Sequence, residues 1–485
     1  MTVQRESPVA PKGSPPKQLF RERGWVSWAL FLTDVFVLEL ALWLAWQSRL
    51  ALVGLMPVQL GPDQFRSLAL AVALLPVIQA IRGMYPGYGM GPVARLRDWS
   101  YVIVYFFGAL AVWDYLVLGG RWSRGVLLIA AVYAAVLIPL AEALFREVTS
   151  RLGAWGAPVV VLGAARTGAL VVRLLGQNRA LGLVPVALFD DDLNKVGKNV
   201  EDVPVVGPIG AVNDWVGWAR VAIVAMPGVH GVRIAALVRD LHFPRVVLVP
   251  DLFGVESLWV QAKDLGGVLG LEIRKNLLIP RNRWIKRGLD YFLGVPLALV
   301  SAPLVGIFAL WVKRVDPGPA FYTQVREGQH GKLIRVWKLR TMYPNAEARL
   351  EKYLAKNPAA REEWRKHFKL KNDPRILPVV GHFLRRTSLD ELPQLWNILR
   401  GEMSLVGPRP FPLYHLDEFS HEFRELRRQV LPGITGLWQV SSRSEGDLEV
   451  QEALDTYYIR NWSVWLDLYI LARTVLAVLA RKGAY

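Results

Sequence analysis

Apolar residues occur along this chain first as long blocks and then as short runs between polar segments, and the change of pattern divides it. Blocks near 25–46, 68–81, 101–118 and 126–145 are each about long enough to cross a hydrocarbon core of roughly 30 Å, the second only marginally. They predict a four-helix transmembrane bundle over 23–150, preceded by a Pro-rich basic stretch, 1–22, read as a disordered tail and not as a cleavable signal. Lys12, Lys17, Arg21 and Arg23 precede the first block, Arg82, Arg95 and Arg97 lie between the second and third, and Arg146 and Arg151 follow the fourth. The positive-inside tendency places all three sets in the cytoplasm, against Arg49, Arg66, Arg121 and Arg124 on the other side. Asp34, Glu39, Asp114 and Glu142 fall inside the blocks, where packing between helices or a place near an interface is favoured over a transport path.

From about residue 157 the runs shorten and become β-branched. Strand candidates at 158–162, 184–189, 221–225 and 245–249 alternate with helical segments, which predicts a doubly wound parallel sheet in a Rossmann-like module over 155–272. The first strand is followed by Gly163-Ala-Ala-Arg-Thr-Gly168 and a helix through Leu175, with Asp190 to Asp192 as the acids that would hold a ribose. Ala165 stands where the middle glycine of a dinucleotide loop belongs, so a regulatory or oligomerising module is favoured over dinucleotide catalysis.

A fifth apolar stretch, 289–312, carries Arg283, Lys286 and Arg287 before it and Lys313 and Arg314 after it, so the positive-inside tendency is met only if both ends are cytoplasmic. Pro296 and Pro303 interrupt its interior. A re-entrant, broken membrane helix over 285–313 fits both facts, with a plain fifth crossing as the alternative. The remainder reads as mixed α/β, with amphipathic basic helices in 345–370 and a Trp-rich apolar end at 462–480. Trp364, Phe368, Trp462 and Trp465 suit either a surface in the headgroup region or ordinary packing.

Composition sharpens this picture. Over 485 residues, 53% hydrophobic content, a mean hydropathy of +0.26 and 19 Trp indicate a membrane protein. The formal net charge of +17 favours anionic partners such as acidic lipid headgroups or phosphorylated substrates. The absence of Cys excludes disulfides, thiol catalysis and zinc–thiolate sites. The 7 His show no metal-ligand spacing, no Walker A sequence is present, and no nucleic-acid-binding motif accompanies the charge, so no nucleic-acid partner is expected.

Candidate chemistry gathers in Arg385-Arg-Thr-Ser-Leu-Asp-Glu-Leu-Pro-Gln-Leu395, which reads as a helix start. Ser388 and Glu391 have the spacing of a capping box, a purely structural account. The same place suits catalysis, since Asp390 at a helix N-terminus would be held ionised by the macrodipole and by Arg385 or Arg386, groups that would also attract a diphosphate. An ionised carboxylate is an adequate nucleophile toward phosphorus once the phosphate oxygens are neutralised.

Four segments in order carry a resemblance: Lys338-Leu-Arg-Thr-Met342, Ser388-Leu-Asp-Glu-Leu-Pro-Gln-Leu395, Gly401-Glu-Met-Ser-Leu-Val-Gly-Pro-Arg-Pro410 and Pro432-Gly-Ile-Thr-Gly-Leu-Trp-Gln439. The region 280–485 resembles the bacterial sugar transferases, monotopic phosphoglycosyl transferases acting on polyprenyl phosphates. With the helices and the Rossmann-like module before it, the chain resembles their long subgroup, which starts O-antigen, capsule or exopolysaccharide repeat units and includes the undecaprenyl-phosphate galactose and glucose phosphotransferases. The resemblance implies that Asp390 attacks the β-phosphate of a UDP-sugar, releases UMP and holds a covalent sugar phosphate, which undecaprenyl phosphate then takes. It implies a Mg2+ cofactor at Asp390 and Glu391, with Glu391 helping to position the magnesium or the attacking carboxylate, and a pocket for phosphates and nucleotide that includes Arg385 and Arg409, with Lys338 and Arg443 as further candidates. Arg340, Arg386 and Pro408 lie in the same segments and are counted with them. Pro303 matches the kink of the re-entrant helix, although Ala302 stands where family members often have Ser, with Ser301 one place early, and Leu431 stands where Arg often precedes Pro432. A UDP-sugar, undecaprenyl phosphate, anionic membrane lipid and a second copy in a homodimer are the expected partners. The expected location is the bacterial inner membrane with the catalytic domain on the cytoplasmic face.

Two other classes fit the sequence less well. A tethered nucleotide-sugar oxidoreductase would need a Tyr-x-x-x-Lys pair, and residues 157–270 contain no Tyr. A non-enzymatic scaffold or chain-length regulator would tolerate loss of the Asp-Glu pair or of the Gly-Pro-Arg-Pro turn, and both are intact.

Overall fold

The computed structural model describes residues 24–54, 60–249, 260–264, 269–273, 276–358, 360–362, 370, 373–441 and 448–479. The basic tail expected over 1–22 lies outside them. The chain forms two compact units, Met1–Leu252 and Phe253–Tyr485.

In the first unit the apolar blocks are helices α1 (Gly24–Ala51), α2 (Pro62–Val72), α3 (Leu74–Ile81), α4 (Pro92–Leu116) and α5 (Arg124–Arg151). Prolines at the first turns of α2 and α4 follow Gly61 and Gly91, a pairing that starts a helix without a wasted N–H. The second block departs from the single helix expected, because it breaks at Ala73 into α2 and α3, which together cover Pro62–Ile81. Leu38, Leu42, Leu68, Ile103, Leu127 and Ile138 fill the bundle core, while Leu32, Phe36, Val104 and Leu128 face outward, an all-round apolarity that suits lipid. Three of the four acids inside the blocks have structural partners: Asp114 accepts from Trp122 N at 2.9 Å, Asp34 from Tyr85 Oη at 2.8 Å, and Glu142 pairs with Arg95 and Arg146.

The Rossmann-like module is built on a six-stranded sheet with order β3-β4-β2-β1-β5-β6, from β1 (Ala157–Leu162), β2 (Leu183–Phe189), β3 (Asn199–Val200), β4 (Val203–Gly207), β5 (Val221–Val224) and β6 (Arg245–Leu248). All pairings are parallel except the edge strand β3 against β4. Strand order reverses between β1 and β5, the switch point at which such sheets bind ligands. Helices α6 (Arg166–Gln177) and α7 (Gly231–Asp240) connect the strands. The four expected strands fall within a residue of their places. The pair β3–β4 was missed, because a two-residue strand and a strand carrying Pro204 give no alternation to read.

The second unit opens with the hairpin β7 (Val260–Asp264) and β8 (Leu269–Ile273), followed by α8 (Pro280–Val315). The 36 residues of α8 are helical throughout, including Pro296 and Pro303. Ser301 Oγ donates to Ala298 O at 3.3 Å, one residue short of the carbonyl that Pro303 leaves without its helical donor. The first turns of α8 are bound to the unit by polar groups: Lys286 to Asp467 at 2.8 Å, Arg287 to Ile398 O at 2.8 Å and Met403 O at 3.0 Å, and Asp290 to Ser404 Oγ at 2.8 Å. Its last turns are bound by apolar ones, with Val312 buried against Leu339, Leu377, Val380 and Leu384.

There follow the antiparallel hairpin β9 (Phe321–Glu327) and β10 (Leu333–Leu339), α9 (Ala346–Lys356), α10 (Val380–Thr387), a 3₁₀ segment Leu389–Gln394, and α11 (Leu395–Leu399). The short parallel pair β11 (Ser404–Val406) and β12 (Gly433–Thr435) flanks α12 (His421–Arg428), and α13 (Leu448–Asn461) and α14 (Val464–Leu479) close the unit. Of the two accounts open for Trp462, ordinary packing is the one observed: the ring is buried and its Nε1 donates to Asp467 at 3.0 Å. Trp364 and Phe368 lie outside the described residues.

Candidate active site

The capping box expected at Ser388 and Glu391 is not formed. Ser388 adopts left-handed backbone (φ 57°) and ends α10 instead of starting a helix, with no side-chain cap. The physical reason lies in Leu389, which this turn returns to the apolar cluster of Val312, Leu339 and Leu384. Asp390 and Glu391 then lie on the 3₁₀ segment beside β10, whose last turn-facing cation, Lys338, stands 2.6 Å from Glu391 Oε1. Arg409, from the turn after β11, brings its guanidinium to 3.8 Å from the same oxygen.

The pair is set apart electrostatically. Burial pushes the Asp390 carboxyl up from 3.8 to about 6, with Lys338 opposing, Glu391 adding to the rise and Arg385 opposing it. A six-residue 3₁₀ segment supplies little of the helix dipole expected at Asp390, and the loss of water outweighs the neighbouring cations, so its carboxyl stands above the usual carboxylate range. Glu391 goes the other way. Burial alone would raise it, but Lys338, Arg409 and Arg326 together hold it below the usual carboxylate range. Adjacent carboxyls are therefore separated into one near its titration point and one firmly ionised.

The sequence candidates divide accordingly. Lys338, Arg385 and Arg409 are brought to the dyad. Pro408 shapes the turn, its carbonyl accepting from Gly433 N at 2.9 Å. Arg386 is exposed. Arg340 is buried and commits its guanidinium to the Asp316 carboxylate, and to Asp316 O at 2.5 Å, at the end of α8. Pro303 lies within α8, and Arg443 lies outside the described residues.

Other functional residues were missed. Arg326 on β9 adds its charge to Glu391 and donates to Pro410 O at 2.7 Å. Asn397 is fully buried, accepts from Trp337 N at 3.2 Å and donates to Arg335 O at 2.7 Å and Glu402 at 2.6 Å, which locks α11 to β10 beside the dyad. The one local signal for it was an amide on the apolar side of a short helix between Leu395 and Ile398.

Among the described residues no group of three His, Asp or Glu side chains is placed to hold a metal. That donor set fits magnesium only in the form in which one or two carboxylates, Asp390 and Glu391, share the ion with substrate phosphate oxygens. In the Rossmann-like module, Gly168 keeps the close helix–strand approach, since a Cβ there would lie 1.9 Å from Gly163 O. Ala164 N, however, donates to Asp190 Oδ2 at 2.7 Å, and Lys195 closes on the same oxygen at 3.0 Å. A carboxylate of the chain itself thus occupies this one amide of the loop.

Residues 281–481 match the bacterial sugar transferase family, and residues 91–248 match a CoA-binding domain. The chain is 34% identical over 378 residues to an undecaprenyl-phosphate galactose phosphotransferase of Salmonella typhimurium, covering 75% of this chain and 77% of that one. It is 32% identical over 375 residues, with the same coverage, to a UDP-galactose-lipid carrier transferase of Erwinia amylovora. Against a UDP-glucose:undecaprenyl-phosphate glucose-1-phosphate transferase of Escherichia coli it is 33% identical, over 67% of this chain and 68% of that one.

Proposed function

This chain belongs to the bacterial sugar transferase family, and from that premise we propose that it transfers hexose 1-phosphate, galactose or glucose, from a UDP-sugar to undecaprenyl phosphate in polysaccharide synthesis. The observation that carries the reading is the convergence of Lys338 and Arg409 on the Asp390–Glu391 dyad, with Arg385 acting on Asp390. Two carboxylates facing this many cations leave a positive surplus for a diphosphate.

In this mechanism an ionised oxygen of Asp390 attacks the β-phosphorus of the donor. The bond from that phosphorus to the bridging oxygen breaks, UMP leaves with the electron pair, and the hexose phosphate is left as an acyl phosphate on Asp390. A phosphate oxygen of undecaprenyl phosphate then displaces the carboxylate, giving the lipid-linked diphosphate sugar and regenerating Asp390. Arg409 and Lys338 hold Glu391 and face the donor phosphates, and Arg385 offsets charge at the attacking carboxylate. Asp390 and Glu391 would hold a magnesium ion, whose charge would neutralise the donor's phosphate oxygens.

The membrane arrangement follows from α8. Arg287 and Val312 are 25 residues apart, about 37 Å along a helix, yet both pack on the second unit. A helix crossing the bilayer would put them on opposite faces, where one water-facing unit could not hold both. Although α8 is unbroken at Pro296 and Pro303, both of its ends being held by one unit supports a re-entrant α8, four crossings before it, and a catalytic unit on the cytoplasmic face of the inner membrane, where UDP-sugars and anionic headgroups meet. The self-closed glycine loop supports a regulatory or oligomerising role for the Rossmann-like module, in a homodimer.

The test is UMP release from a panel of UDP-sugars with magnesium, with and without undecaprenyl phosphate, by wild type and Asp390→Asn protein. Lipid-dependent release with one sugar, reduced by at least about 1,000-fold in the variant, is expected. Ordinary turnover by Asp390→Asn would overturn the nucleophile, and no release by folded wild type in lipid would overturn the reaction.

A further inference from the structure

The turn that carries Arg409 begins where two strands touch. A Cβ on Gly433 would lie 2.1 Å from Gly407 N, and one on Gly407 2.6 Å from Leu431 O, so neither position has room for a side chain. Gly407 N donates to Thr435 O at 2.8 Å, and Gly433 N to Pro408 O at 2.9 Å. Beyond this the ladder weakens, because Pro408 and Pro410 have no N–H to give. The carbonyls of the turn are what remain to fix it.

Those of Arg409 and Pro410 are taken by guanidinium groups that come from separate elements. Arg409 O accepts from Arg427 Nη2, and Pro410 O from Arg326 Nη1 at 2.7 Å. Arg326 also donates to Gln324 Oε1 at 2.6 Å, which ties it to the hairpin whose other strand presents Lys338. Arg427 is buried, with its guanidinium carbon 4.7, 5.6 and 5.5 Å from the ring centroids of Phe411, Phe419 and Phe423, and Asp455 3.7 Å from its Nη1. Burying a charge there carries a desolvation penalty that packing alone does not require. A planar fork inside an aromatic cage gives a fixed donor direction that a flexible ammonium does not.

We infer that Arg326 and Arg427 are positioning residues that clamp the Gly407–Pro410 turn from two sides and so aim Arg409 at Glu391. The inference rests on the transferase reading, which wild-type turnover tests separately; the clamp is tested by ratios between variants.

The experiment is a double-variant cycle on kcat/KM for the UDP-sugar in the full-length protein in lipid. Arg326→Lys, which keeps the charge that acts on Glu391 and loses the fork, is expected to lower kcat/KM about tenfold when Arg409 is present and less than about twofold in an Arg409→Gln background, because nothing is then left to aim. A general structural defect would lower both backgrounds alike, so an equal loss in the two would overturn the clamp while leaving the reaction standing. Arg427→Gln would leave Asp455 buried without a partner, so the second arm uses Arg427→Lys, which keeps the charge and loses the fork. It is expected to show the same dependence on Arg409; full activity in both Arg326→Lys and Arg427→Lys would also overturn the inference.

Discussion

In the helix bundle, Arg95 and Arg146 close on Glu142 with side-chain exposures of 2, 8 and 0%, whereas in the second unit Lys338 and Arg409 close on Glu391 with exposures of 24, 33 and 21%. The side chains are similar and the consequences differ. Arg95 spends its remaining donors on Met84 O at 3.1 Å and Pro86 O at 2.9 Å, so the buried cluster is internally occupied and holds the loop between α3 and α4 in place. The dyad cluster keeps open faces and a surplus of cations, with Asp390 close to its titration point. Full satisfaction makes a structural site, and a partly exposed imbalance makes one that takes a ligand.

The largest effect expected on this contrast is in stability. Arg95→Met strands much of the Glu142 charge and should cost about 3–5 kcal/mol, read as a lowered unfolding temperature in lipid, with UMP release per folded molecule unchanged. A loss of turnover without a loss of stability would break the comparison. Next, Lys338→Met should lower kcat/KM for the UDP-sugar about 10- to 100-fold while moving the unfolding temperature little, since it removes a partly exposed, charge-assisted contact at the reacting end. Comparable unfolding losses in the two variants would erase the distinction.

The smallest effect is the pH dependence. In the proposed mechanism Asp390 attacks in its ionised form, and burial raises its pKa to about 6, so the ionised fraction falls as pH drops through that value. The expected kcat/KM declines about tenfold between pH 5.5 and 4.5, with the inflection moved upward in Lys338→Met, because Lys338 lowers the Asp390 pKa. A profile flat to pH 4.5 would sink the assignment of Asp390 as a group poised by burial.

Much of the fold was legible because its signals are local. Apolar block length marks α1, α4, α5 and α8, and β-branched runs mark β1, β2, β5 and β6. Asp390, Glu391, Lys338 and Arg409 were likewise legible as a set, since their spacing along the chain carries the family resemblance. The break at Ala73 and the strand pair β3–β4 were not, because short elements with Pro or without alternation contribute too little periodic pattern.

The sequence by itself determined which segments are apolar enough for lipid, that a parallel sheet follows them, and which carboxylates stand beside which arginines in the chain. Tertiary structure alone decided how those groups meet. Ser388 leaves the capping geometry because Leu389 is drawn into a core built from α8, β10 and α10. Arg340, two residues from Lys338, turns to Asp316 instead of the dyad, and Arg326 and Arg427 reach the Arg409 turn from 84 and 18 residues away. Helix length and strand alternation are summed over neighbours in sequence, whereas hydrogen-bond partners and the desolvation that raises Asp390 depend on chain segments brought together only by packing.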